Sequence, residues 1–347
     1  MKLTVDRYIP FLEGVFEPYA EVVYKDGKDI CADDASDSDA LIIRTRTKCG
    51  APLLAGSRVS MIATATIGTD HIDLPWCADN GIEVANAQGC NAGGVMQYVF
   101  TALYALAQKK GLSLDGKTIG IIGVGHVGSK VEAMARELGF KLLLCDPPRA
   151  AAEGPDGFLE LDDLLAQADI VTMHTYLDST TRCMADSSFF SKMKDGAIFI
   201  NASRGEVVVD QALIEAAPKF SGIIIDTWNG EPEIDRELMG LADIATTHIA
   251  GYSYQGKQNG TAMAVQAVAR HFGIEPLMNF RPVTESKEKE VALIDFSAMN
   301  QSQIANILQE NYPIFGDDRD FRSAPERFEQ LRSEYDYRRE VDFIPHR

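Results

Sequence analysis

The sequence predicts an α/β protein: two doubly wound parallel-sheet units followed by a smaller C-terminal segment. Short apolar runs alternate with longer segments of helical period along most of the chain. A glycine-rich turn separates one such run from a helix-forming stretch, the order found where a parallel strand meets its crossover helix. The composition, 46% hydrophobic and 24% charged over 347 residues, is that of soluble chains large enough for two or three cores.

The apolar runs fall into two series. The first comprises Leu3–Val5, Glu21–Tyr24, Ala40–Ile43, Met61–Ala65 and Ile82–Val84. The second comprises Thr118–Ile122, Lys141–Cys145, Ile170–Met173, Ala197–Ile200, Ile223–Ile225 and Ile244–Thr246. Between them Ala92–Lys109 carries apolar residues on one face at helical spacing and reads as a connecting helix. The helical stretch Gln255–Phe272 has no strand of its own and is expected to return to the first unit. The expected domains are therefore 1–91 with 252–283, a discontinuous substrate-binding domain, around an inserted unit at 92–251. From Thr284 the chain is rich in mixed charge, yet Ile304, Ile307, Leu308, Phe315, Phe321, Phe328, Leu331 and Tyr335 give it an apolar face. So small a segment forms a marginal core alone, and docking or dimerisation is expected of it.

Asp and Glu number 51 against 33 Lys and Arg, a formal charge of −18. Such a surface repels nucleic acid and anionic membrane, and it obliges any anionic substrate to find a local cluster of cations. The six cysteines form no C-x-x-C pair, which argues against a zinc knuckle or disulfide framework and fits a reducing cytoplasm. The opening MKLTVDRYIPFLEGVF is too polar for a signal peptide, and no apolar run is long enough for a membrane span. His71, His126, His174 and His271 lack any paired metal-ligand spacing, so no metal is expected. His71, beside Asp70 and Asp73, is read as beginning a helix in a capping role.

The strand at Thr118–Ile122 runs into Gly123-Val124-Gly125-His126-Val127-Gly128 and then a helix-forming stretch from Ser129. In this Rossmann-like order Gly123 permits the tight turn and Gly125 lets backbone approach a pyrophosphate. Gly128 allows close helix–strand packing, and the helix N-terminus offers N–H groups to phosphate, with His126 and Val127 facing it through their backbone. The next strand ends in Asp146, placed to accept the adenosine ribose hydroxyls and to repel a 2′-phosphate, which selects NAD. Arg149 nearby is a reservation, since an arginine there accepts such a phosphate.

Three polar loops follow strands of the second series: Asn201-Ala202-Ser203-Arg204-Gly205, Asp226–Pro232 and Thr246–Tyr252. Ligands bind at such strand ends. Oxidising an alcohol next to a carboxylate needs a cation for the carboxylate, a base for the hydroxyl proton and a partner for that base. Arg204, His248 and Glu231 have the chemistry for these roles in turn.

With GVGHVG, NASRGE, DTWNGEP and THIAG in this order, the chain resembles the D-isomer-specific 2-hydroxyacid dehydrogenases over roughly residues 1–280. The resemblance implies that Arg204, Glu231 and His248 are catalytic. Within the family, IIRTRTK at 42–48, TATIGTDHID at 64–73, HIAGYSYQGK at 248–257 and the C-terminal extension are similar to a branch acting on a phosphorylated four-carbon hydroxy acid in bacterial pyridoxal-phosphate synthesis. By that likeness Thr45, Thr66 and Tyr252 contact substrate and Asp146, Thr175, Asp226 and Gly251 bind NAD. Ala202 and Ser203, in the loop of Arg204, are counted with the cofactor residues, and Gly68 with the loop that receives the carboxylate. It further implies that residues 284–347 form a small α+β dimerisation domain, making a homodimer. Arg44, Arg46 and Lys48 are the cations expected near the phosphate, Arg44 at the strand end foremost.

The chain departs from the family at Thr45, where Ser is usual, at Tyr176, where Pro is common, and at Asn229, where an acid is frequent. No departure removes a catalytic group. The rival readings are a phosphoglycerate, glycerate or hydroxypyruvate dehydrogenase, or an NAD-sensing scaffold that binds without turning over.

Overall fold

A computed structural model describes residues 1–284 and 287–345 and divides the chain into two compact units. One comprises Met1–Asn91 with Tyr254–Lys289, the other Ala92–Ser253 with Glu290–Arg347. The C-terminal segment, expected as a third domain, thus groups with the unit that carries the glycine motif.

In the first unit β1 (Lys2–Asp6), β2 (Glu21–Lys25), β3 (Ala40–Ile43), β4 (Met61–Thr64) and β5 (Glu83–Asn86) form a parallel sheet in the order β2-β1-β3-β4-β5. Its central strands β3 and β4 are almost wholly apolar and buried because both faces are covered. Ala40, Ile42, Met61 and Ala63 pack on one side with Ala264, Val265 and Val268 of helix Tyr254–Phe272. Leu41, Ile43 and Ile62 pack on the other with Leu53, Leu54 and Cys77 of two short helices. The helix Leu74–Asp79 is capped by Asp73, whose side chain accepts from Trp76 N, so His71 neither begins nor caps it.

The second unit holds β6 (Thr118–Ile122), β7 (Lys141–Cys145), β8 (Ile170–Met173), β9 (Ile198–Asn201), β10 (Gly222–Ile225) and β11 (Ile244–Ala245), all parallel in the order β11-β10-β9-β8-β6-β7. The strand order reverses between β6 and β8, and the crevice beyond their carboxyl ends is where such sheets bind ligands. Helix Ala92–Lys110 covers one face, but Ala92 to Ala107 are buried all round rather than on one side. Its far side meets Ile304, Ala305 and Leu308 of the C-terminal helix Gln301–Asn311.

The apolar face foreseen after Thr284 is consumed inside this unit. Ile304 and Leu308 join the core on one sheet face, while Phe321 and Phe328 join the other, where Phe321 lies edge-on to Trp228 at 5.9 Å. Two strands absent from the sequence reading, β12 (Ala292–Ile294) and β13 (Val341–Phe343), pair in parallel and join the two ends of the C-terminal segment.

Candidate active site

At the carboxyl end of β6, Gly123 has φ +84°, and a Cβ there would lie 2.8 Å from the His174 carbonyl carbon that follows β8. A Cβ on Gly128 would lie 2.0 Å from the Gly123 carbonyl oxygen, whereas one on Gly125 meets nothing within 4 Å. The first and third glycines are thus required by the protein's own packing, and the middle one leaves its backbone approachable. Gly125 stands at the N-cap of helix His126–Glu137, whose first N–H groups face outward without a side-chain cap.

Asp146, ending β7, accepts from Val124 N at 2.7 Å and from Arg149 N at 2.9 Å. It thereby ties the glycine turn to the next helix. Arg149 is committed elsewhere: Nε and Nη2 grip Glu153 at 2.8 and 2.7 Å, Nη1 donates to the Val124 carbonyl, and the guanidinium lies over Phe158. These contacts draw the Arg149 guanidinium towards Glu153 and the glycine turn. After β8 and β10 three polar atoms, His174 Nδ1, Thr175 Oγ1 and Thr227 Oγ1, are buried without a hydrogen-bond partner. Orphans of this kind are uncommon because each forfeits its hydration, and here they cluster where the fold places a ligand. Together with the open backbone at Gly125, they fit an NAD site. Burial alone pushes the His174 imidazole down to about 3.

The loop after β9 is held by Asn201, whose amide donates to the Arg204 carbonyl and whose oxygen accepts from Ser203 N and Oγ. Gly205 is obligatory here, since a Cβ would lie 1.9 Å from the Trp228 carbonyl carbon. This contact brings the Arg204 loop against the Glu231 loop. Ala202 and Ser203 precede Arg204 in this turn, and Arg204 Nη1 reaches back to the Ser203 carbonyl.

Glu231 and His248 meet directly. Nδ1 of His248 lies 2.8 and 3.1 Å from the two Glu231 carboxylate oxygens, one of which also accepts from Trp228 N. Burial pushes the Glu231 carboxyl up, but the His248 charge and hydrogen bond, Arg332 and the Trp228 N–H outweigh it and hold it below the usual range. With Nδ1 taken, Nε2 is the ring nitrogen left for chemistry. His248 itself sits at φ +56°. Asp226, 1% exposed, accepts from Thr246 Oγ1, Ile249 N and Ala250 N, while its carbonyl takes His248 N. Its carboxylate is therefore engaged in shaping the histidine turn. Gly251 and Tyr252 continue that turn, with Tyr252 N bonded to the Ile249 carbonyl.

In the first unit Arg44 follows β3 and Thr66 follows β4, both at the carboxyl end of the sheet. Arg44 is not free: Nε and Nη2 donate to Asp6, which is fully buried, at 2.9 and 3.3 Å. Thr45 is exposed, Gly68 half-buried, and Thr66 Oγ1 shares a hydrogen bond with Thr64 Oγ1.

The sequence reading missed the residues that the C-terminal segment delivers. Arg338, 9% exposed, donates to the carbonyls of Ile249, Ala250, Tyr252 and Gly94 and stacks on Tyr312 at 4.1 Å. Glu340 accepts from Ser253 Oγ, and a Cβ on Gly93 would lie 2.1 Å from its carboxylate. Asp318 accepts from Ala245 N at the end of β11. Arg332 lies over the Tyr252 ring at 5.7 Å. A signal the sequence reading did not use is the Gly93-Gly94 pair at a helix start, where the side chains of Glu340 and Ser253 approach closely.

Residues 97–250 match the family described as D-isomer specific 2-hydroxyacid dehydrogenase, NAD binding domain. The chain belongs to this family, and its NAD-binding domain lies there. An erythronate-4-phosphate dehydrogenase of Bacteroides fragilis is 44% identical over 98% of this chain and 97% of its own. One from Porphyromonas gingivalis is 39% identical over 98% and 94%. Among solved structures, 3-phosphoglycerate dehydrogenase of Entamoeba histolytica with NAD+ bound superposes with a TM-score of 0.67 at 24% identity, covering 82% of this chain and 99% of its own. That likeness shows the fold.

Proposed function

We propose that this chain oxidises 4-phospho-D-erythronate to 2-oxo-3-hydroxy-4-phosphobutanoate with NAD. The observation that carries the reading is the His248–Glu231 pair, in a chain whose near-full-length relatives bear that enzyme's name. NAD, when bound, supplies the hydride acceptor. Gly123, Gly125, His126, Val127, Gly128, Asp146, Thr175, Ala202 and Ser203 are the residues we assign to holding it, with Asp226 and Gly251 supporting the turn beside it.

Oxidation takes the C2 hydrogen as hydride and the hydroxyl hydrogen as a proton, and the C2–O bond becomes a carbonyl. Glu231 keeps the imidazole proton on Nδ1, so the Nε2 lone pair receives the hydroxyl proton. The imidazolium then formed lies against a carboxylate already ionised below the usual range. Arg204 holds the substrate carboxylate, to which its planar fork is matched. Thr45, Thr66, Gly68 and Tyr252 are assigned to the substrate, with Arg44 acting from its pairing with Asp6. By the same reading the enzyme serves pyridoxal-phosphate synthesis in the cytoplasm. It is a homodimer through its C-terminal segment, where Val291, Leu293 and Ile344 are 39, 66 and 48% exposed.

The test is NADH formation across a panel of phosphorylated and plain 2-hydroxy acids. We expect 4-phospho-D-erythronate to be preferred and His248→Asn to lose about 10³-fold in kcat. Preference for plain glycerate or lactate, or a His248→Asn enzyme at normal rate, overturns the reading. Sedimentation of the full chain as a monomer at micromolar concentration overturns the homodimer.

A further inference from the structure

A phosphorylated substrate brings close to two negative charges to a chain of net charge −18, so cations with donors to offer are needed beside it. The strand-end arginine of the first unit does not suffice. Arg44 directs two of its nitrogens at the fully buried Asp6, and the pair is close to neutral.

Arg332 is placed differently. It stands on the C-terminal helix Phe328–Ser333, with its guanidinium carbon 5.7 Å from the centre of the Tyr252 ring. Tyr252 is itself wedged edge-on against Tyr335 and Tyr337 at 6.2 and 6.3 Å. The Nε of Arg332 is buried and has no hydrogen-bond partner. A buried, unsatisfied donor on a permanent cation is costly, and it persists where a ligand supplies the acceptor. Tyr252, which also shares a hydrogen bond with the guanidinium, Glu231 and Glu329 are the titratable groups that face it. Glu231 is already engaged by His248 and Trp228 N.

We infer that Arg332, together with Tyr252, receives the phosphate of the substrate. The C-terminal segment thereby completes the catalytic unit and sets the preference for a phosphorylated over a plain 2-hydroxy acid. This rests on the proposed oxidation of 4-phospho-D-erythronate. It differs from it in naming a residue outside the region that matches the family.

The experiment compares wild type, Arg332→Gln and Arg332→Lys as full-length enzymes on 4-phospho-D-erythronate and on D-erythronate, with inorganic phosphate as competitive inhibitor. Arg332→Gln is expected to lower the preference for the phosphorylated acid by about 100-fold, mainly through KM, and to weaken phosphate inhibition comparably. Arg332→Lys, which keeps the charge without the fork, should recover part of both. Equal losses on the two acids, or unchanged phosphate inhibition, overturn the proposal. So does an altered acidic limb of the pH profile with the substrate preference intact, because Arg332 would then act only through Glu231 and His248. If Arg332→Gln fails to fold, judged by circular dichroism and NADH binding, Arg332→Lys decides alone: unchanged phosphate inhibition in it sinks the assignment. A wild type indifferent to phosphorylation would defeat the underlying functional reading, a separate measurement from the variant series.

Discussion

His248 occupies a left-handed backbone conformation, which costs a non-glycine residue roughly 1–2 kcal/mol. The buried Asp226 offsets this by accepting from the two residues that follow His248 and from Thr246. Asp226→Asn replaces one acceptor oxygen by a donor facing another donor. It should destabilise the protein by about 2–4 kcal/mol and lower kcat, as read by thermal melting and steady-state assay. Glu231→Gln tests the second support. The amide still accepts from Nδ1, but imidazolium loses its neighbouring charge. We expect kcat/KM to fall about 10²-fold, because the imidazolium formed in the reaction then lacks a neighbouring negative charge. An unchanged kcat/KM would show that Glu231 does not stabilise the charged histidine. Both residues were legible in the sequence as strand-end acids. The sequence already offered Glu231 as the partner of His248, whereas the part of Asp226 in shaping the histidine turn is seen only in the tertiary structure.

The elements themselves were largely written in local pattern. Eleven parallel strands were expected, and each lies within two residues of its place, because a run of four or five apolar residues between helices is a strong local signal. Strands β12 and β13 escaped because three residues carry no period, and their pairing joins distant parts of the chain. Helix Ala92–Lys110 was legible as a helix but not as a fully enclosed one. Its second covering, helix Gln301–Asn311, lies far along the sequence. At the glycine turn, the tight bend at Gly123 and the close packing at Gly128 were legible. Gly128→Ala would drive a Cβ to 2.0 Å from the Gly123 carbonyl oxygen. That overpacking, about 1–3 kcal/mol, should weaken NADH binding by tenfold or more in a fluorescence titration. Unchanged affinity would mean that this turn does not hold the cofactor.

At the scale of the whole molecule, the buried His174 sets a pH dependence of stability. Its folded-state value is depressed to about 3 from an ordinary 6.5, so between these limits the unfolded chain binds the extra proton. Stability then falls as pH drops through that window, by about 1.4 kcal/mol per unit from this group. His174→Asn should melt with a shallower dependence between pH 7 and 5 than wild type, and an identical slope would assign the acid sensitivity elsewhere. The membership of the C-terminal segment is also a property of the whole. Its apolar residues read as a surface for docking or dimerisation, and the structure places Ile304, Leu308, Phe321 and Phe328 in the core of the NAD-binding unit.

The fold class, the glycine turn and the three residues proposed as catalytic were legible in the amino-acid order itself. Each depends on apolar period or on a loop's position directly after a strand, and both are local. The commitment of Arg44 to Asp6, of Arg149 to Glu153 and of Arg338 to the histidine turn, and the placing of Arg332 over Tyr252, were decided only by the tertiary structure. Arg338 meets the Ile249 carbonyl across a separation of 89 residues. No period or spacing reports such a meeting, because it is the packing of the C-terminal helices that brings the two together.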